Sequence, residues 1–342
     1  MDLESLRHHY LRRIVAPGLR LFGYRATERL AVAMARRVFD LNTPARRFAH
    51  ARIERALGRM GPPGEAGGEP QAAAAGNDNV SNLSAAICKT AYEHIGRFWA
   101  ESLFLQRRVG GVRWRTYVRI DDETVITGEP GTGRGRVFVT GYYGNPAAAA
   151  VVLGQLCRPV HVVVDYVQQP ILRAWQRELY RIPNVRPVKR AETGSTLPRV
   201  LKGGGAILMI AEHHRPRGRA VEIEFLGERL RCYPTLERLA EWCDASVIPV
   251  TCRRAAERFS FLLEAHGVFR FETGRRVGDV TRGAMAALEA AILRDAGQYL
   301  WMVSAAREAS DAFAARGMAE NRPASTPQER TVPVLRPVGS AQ

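Results

Sequence analysis

The chain has 342 residues, 46% of them hydrophobic, which suffices for one large domain with extra helices or for two small ones. Fifty Lys and Arg against 34 Asp and Glu leave a net charge of +16. That excess points to an anionic partner, a phospholipid surface, a phosphorylated substrate or nucleic acid, and it is also what an Arg-rich genome leaves behind.

Residues 5–41 read as helical, broken at Pro17-Gly18. Leu30, Met34, Val38 and Leu41 recur at helical spacing, with Arg29, Arg36 and Arg37 on other faces. Such a helix either docks on anionic lipid or packs on its own domain. Residues 1–40 hold no apolar core of a signal peptide, and no apolar run is long enough to span a bilayer. Residues 61–80, GPPGEAGGEPQAAAAGNDNV, read as a flexible low-complexity linker. Helical pattern returns over 83–108, through Ile87, Tyr92, Ile95, Phe98 and Leu103.

Beyond residue 117, strands and helices alternate. Strands are expected at 137–140, 160–164, 206–210, 222–225, 230–232, 247–251 and 259–265, and helices at 170–180, 196–202, 235–243 and 280–296. Gly227-Glu228 reads as a hairpin turn. The pattern predicts an α/β fold, a mixed central sheet flanked by helices, preceded by N-terminal helices. The expected division is 1–60 N-terminal amphipathic helices, 61–80 linker, 81–315 α/β domain and 316–342 disordered tail. Cys88, Cys157, Cys232, Cys243 and Cys252 form no CxxC pair and read as reduced cytosolic thiols, Cys243 and Cys252 as core filler. Trp99, Trp175, Trp242 and Trp301 read as core, and no His has metal-ligand spacing, so no metal is expected. Nucleic acid is an unpromising partner, since no recognised module accompanies the charge.

Residues 137–147, VFVTGYYGNPA, run from a strand into a Tyr-Gly-Asn turn. Together with RRFAHARIERALG (46–58), IGRFWAESL (95–103), LKGGGAILMIAEHH (201–214), EIEFLGERLRCYPTLERLAEWCDASVIPV (222–250) and QYLWMVSAARE (298–308), this turn resembles the lipid A late acyltransferases of the lysophospholipid acyltransferase superfamily. The six pieces occur in the family's order.

The resemblance implies transfer of a fatty acyl chain from an acyl carrier protein or coenzyme A thioester, as co-substrate, to a hydroxyl of a lipid acceptor. It needs no bound cofactor and implies a peripheral position on the cytoplasmic face of the inner membrane. The family sets a His at the turn, then four residues, then Asp or Glu; the His takes the hydroxyl proton and the acid orients it. Here those positions hold Tyr142 and Ala147, and Val303, Ser304 and Ala305 stand where the family has His-Arg-Arg. A phenol of ordinary pKa, about 10, is protonated at neutral pH and makes a poor base.

Gly144 and Asn145 keep the turn, and Glu212 holds a superfamily acid position beside His213 and His214. Arg190 matches a family Arg, and Lys189, Arg215 and Arg217 add charge suited to a phosphate. Two outcomes are open. Either the base has migrated to His213 or His214 paired with Glu212, or the chain is a non-catalytic relative that binds an acyl chain and supports an active paralogue.

Overall fold

The computed structural model describes residues 16–41, 43–59, 73–128, 131–166, 170–212, 219–255, 259–274 and 276–302. The expected tail beyond 316 and most of the expected linker lie outside them.

Four helices come first: α1 (Ala16–Leu21), α2 (Gly23–Asp40), α3 (Pro44–Gly58) and α4 (Ala73–Arg108). Thr43 caps α3 by accepting the Arg46 N–H, and Pro44 opens the helix where its missing donor costs nothing. The α4 helix begins inside the segment that reads as a linker.

A seven-stranded sheet follows, in the order β1 (Val118–Ile120), β9 (Phe261–Ala265), β8 (Ser246–Arg254), β2 (Arg136–Thr140), β5 (Ala206–Ile210), β3 (Val160–Val164) and β4 (Val185–Lys189). All neighbours are parallel except β8 and β9. The connecting helices are α5 (Glu123–Thr127), α6 (Pro146–Cys157), α7 (Pro170–Leu179), α8 (Thr193–Lys202), α9 (Thr235–Cys243) and α10 (Asp279–Arg294). Between α8 and α9, β6 (Val221–Phe225) and β7 (Glu228–Cys232) form a separate antiparallel pair. Its turn is Leu226-Gly227, one residue earlier than expected, with both φ angles positive as a tight hairpin requires.

Side chains alternate across the central strands, so the sheet divides two cores. Val137, Val139, Ile207 and Val247 meet α3, the middle of α4, α8 and α10. Phe138, Leu208, Ile248 and Val250 meet α6 and the far end of α4. The α6 helix runs through the second core on four successive alanines, which let it lie close to the sheet. Cys243 and Cys252 are buried as expected, and Trp301 is fully enclosed. Trp242 is not core: it is exposed, with the Arg238 guanidinium against its ring. The buried set of α9 is Leu236, Leu239, Ala240 and Cys243, and position 242 falls off that face. The side chain of Trp175 lies outside the described residues.

Candidate active site

The parallel strands place their C-terminal ends along one edge, where α/β sheets gather ligands. The β2–α6 turn, residues 141–145, sits at the middle of that edge. Its shape follows from its residues. Gly144 has a φ of +61°, and a Cβ there would strike the Cys252 carbonyl. Asn145 caps α6, its Oδ1 accepting the Ala148 N–H at 3.0 Å, and Pro146 supplies the first turn.

Two walls hold the turn through its backbone. On the β8 side, the Asn145 N–H donates to the Cys252 carbonyl at 2.7 Å. On the other side, the Gly144 N–H donates to the Gln298 carbonyl and the Leu300 N–H to the Tyr142 carbonyl, each at 2.9 Å.

Glu212 stands just past the end of β5 and is buried. Its Oε1 accepts the Tyr142 backbone N–H at 2.8 Å, and its Oε2 accepts the Tyr299 hydroxyl. Gly141 makes the approach possible, because a Cβ on it would fall on that carboxylate. Burial, with the adjacent Glu212 carboxylate, pushes the Tyr299 phenol well above its ordinary range, so it stays a donor. The buried Arg52 guanidinium lies 5.6 Å from the Tyr299 ring centre and 3.1 Å from Glu228.

A second network lies behind the turn, from α4 and β8. Glu101, fully buried, accepts the Asn145 amide at 3.0 Å through Oε2 and the Arg254 Nε–H at 2.5 Å through Oε1. His94 meets the Gly144 carbonyl at 2.9 Å through Nε2, while its Nδ1 faces the Arg254 guanidinium at 3.3 and 3.4 Å. A carbonyl accepts and a guanidinium donates, so the imidazole is neutral with its proton on Nε2. Burial, then the Arg254 charge, hold its pKa well below the usual value. Gln298 closes the network by accepting the Arg254 N–H at 2.8 Å and donating to the Arg254 carbonyl at 3.2 Å.

Of the residues singled out from sequence, Tyr142, Gly144, Asn145 and Glu212 come together here. Tyr142 is partly buried against the first core, and Ala147 is buried in the second. Lys189 and Arg190 lie on the same edge at the end of β4, with β5 and β3 between, about 14 Å away at ordinary strand spacing. Arg190 approaches Asp165 at 3.6 Å and lies over the Tyr233 ring. His213, His214, Arg215 and Arg217 lie outside the described residues. Next to the turn, Thr140, Pro146, Val162, Tyr180 and Leu208 line a small cleft.

Glu101, His94, Arg254, Gln298 and Tyr299 were not singled out from sequence. His94 and Glu101 carried a signal, since seven residues apart they share a helix face with apolar Ile87 and Phe98 nearby. A carboxylate on such a face needs a buried partner.

The family model of bacterial lipid A biosynthesis acyltransferases matches residues 78–305, a span that includes the turn, every strand and both networks apart from Arg52. No curated protein matches the chain.

Proposed function

This chain belongs to the bacterial lipid A biosynthesis acyltransferase family, and from that premise we propose that it binds an acyl chain and a lipid acceptor in bacterial envelope lipid metabolism and assists acyl transfer without a base at the turn. The observation that carries this reading is the turn itself. Tyr142 stands at the position of the general base, and Ala147, buried among apolar groups, at that of its orienting acid. Losing a general base costs on the order of 10²–10⁴ in rate. Two further features support it. Both Glu212 oxygens already accept hydrogen bonds, and the His94 ring is buried behind the turn, bonded to its backbone. Arg190 and Lys189 offer positive charge to a phosphorylated acceptor. The donor in this reading is an acyl carrier protein or coenzyme A thioester, and the protein works peripherally at the cytoplasmic face of the inner membrane. No described helix is long and apolar enough to cross a bilayer.

A second reading keeps the chemistry in the chain: His213 or His214 takes the proton. The 2.8 Å bond from Tyr142 N–H to Glu212 favours it, because it holds the residue that precedes His213 in the sequence against the turn.

Purified protein with a labelled acyl thioester and a lipid acceptor separates the two. The first reading expects no transfer from the parent and bound acyl ligand. Transfer by the parent that disappears in a His213→Ala, His214→Ala double variant establishes the second and ends the first.

A further inference from the structure

The α2 helix has one apolar face too many. Tyr24, Thr27 and Val32 are buried, and Arg36 on Glu93 at 2.8 Å with Arg97 near Glu28 at 3.5 Å lock α2 antiparallel along α4. That accounts for the packing face. Leu30, Met34, Val38 and Leu41, at spacings of four, four and three, form another stripe that the fold leaves in solvent. Met34 is 62% exposed and Leu41 73%, and at the α1–α2 corner Leu21 and Phe22 reach 88% and 75%. Of the eleven exposed large hydrophobic residues among those described, six lie within residues 21–41. Single exposed apolar residues are ordinary; a continuous row marks a contact surface.

Charge identifies what covers it. Arg29 and Arg37, each one residue before a stripe residue, are exposed on the same helix. A row of guanidiniums beside an apolar stripe matches an anionic headgroup layer above hydrocarbon. A second copy of this face would bring its own guanidiniums into the contact, so like charge opposes self-association. The position fits a lipid-acting site too. The α4 segment against α2 carries His94, whose ring touches the Gly144 carbonyl, so the stripe is one helix layer from the turn.

We propose that α2 lies in the headgroup layer of an anionic bilayer, with Leu30, Met34, Val38 and Leu41 immersed and Arg29 and Arg37 on lipid phosphates. The proposal rests on the reading of a lipid acceptor given above. Its test reads binding alone and is independent of whether acyl transfer occurs.

The test uses the full chain with vesicles of phosphatidylcholine, with and without phosphatidylglycerol. Co-sedimentation is expected to require the anionic lipid and to weaken as salt rises. A Leu30→Gln, Met34→Gln, Val38→Gln variant is expected to lose at least about tenfold in partitioning. Each of Arg29→Gln and Arg37→Gln is expected to lose about fivefold, a surface charge being worth about 1 kcal/mol. Hydrogen exchange on the unmodified chain guards against misfolded variants: vesicles should protect residues 21–41. Undiminished binding by the folded triple variant, or no protection of α2, overturns the proposal. So does a dimer that the triple variant dissociates while vesicle binding persists.

Discussion

Glu212 bonds the main chain of Tyr142. Its carboxylate takes the Tyr142 N–H at 2.8 Å and the Tyr299 hydroxyl on its other oxygen, tying β5, the turn and the C-terminal segment together. The carboxylate thus works on the backbone of the turn.

Glu212→Gln should cost about 1–3 kcal/mol, because an amide presents only one oxygen to two buried donors. Gly141→Ala should destabilise by a similar amount by displacing the carboxylate. In a Glu212→Ala background the Gly141→Ala penalty should shrink, and urea unfolding of the four proteins measures the difference. Simple additivity would refute the close contact.

Glu101 serves the turn from behind, so its loss strands Arg254. Glu101→Gln should cost about 3–5 kcal/mol, the range for breaking a buried ion pair. Asn145→Ala should cost about 1 kcal/mol as a lost helix cap, and more in so far as Glu101 loses its partner. The two changes share one network and should combine to less than their sum in chemical denaturation.

Acid should weaken the fold partly through His94. The unfolded imidazole titrates near pH 6.5, about the ordinary value, and the folded one well below it. Between those points the unfolded state holds the extra proton, so stability falls as pH drops below about 6.5. His266 shifts the same way and adds to the slope. His94→Gln, which retains a donor for the Gly144 carbonyl, should show a shallower fall in melting temperature from about pH 7 to about pH 5. An unchanged slope would count against the buried neutral ring.

Tyr142 should be dispensable as an acid or base. Tyr142→Phe should leave any acyl transfer within about twofold of the parent, since a hydroxyl is a far weaker general base than an imidazole. A loss of tenfold or more in the labelled-thioester assay would assign chemistry to the hydroxyl.

Most of the fold was legible as local pattern. Central strands such as Val160–Val164 and Ala206–Ile210 are apolar runs, and Thr235–Cys243 is the observed α9 to the residue. The two strands that sequence did not reveal are edges. β4 reads Val-Arg-Pro-Val-Lys, where charged residues and a proline interrupt the apolar run, and β1 has three residues. The site divides the same way. Asn145-Pro146 announces a helix start from neighbouring residues alone. Glu101 meets Asn145 across 44 positions and Arg254 across 153, and Tyr299 meets Glu212 across 87. Contacts at that range leave no periodic trace, so only the folded chain displays them.

The wall formed by Gln298, Tyr299 and Leu300 has a consequence for biosynthesis. A ribosome delivers the Tyr-Gly-Asn loop more than 150 residues before the peptide groups that brace it. Until that last stretch emerges, the carboxylate after β5 has no phenol to meet and the loop's outer amides face water. The loop is therefore braced only once residues 298–300 are in place, and a chain truncated near position 290 would carry every strand of the sheet but an unfinished loop.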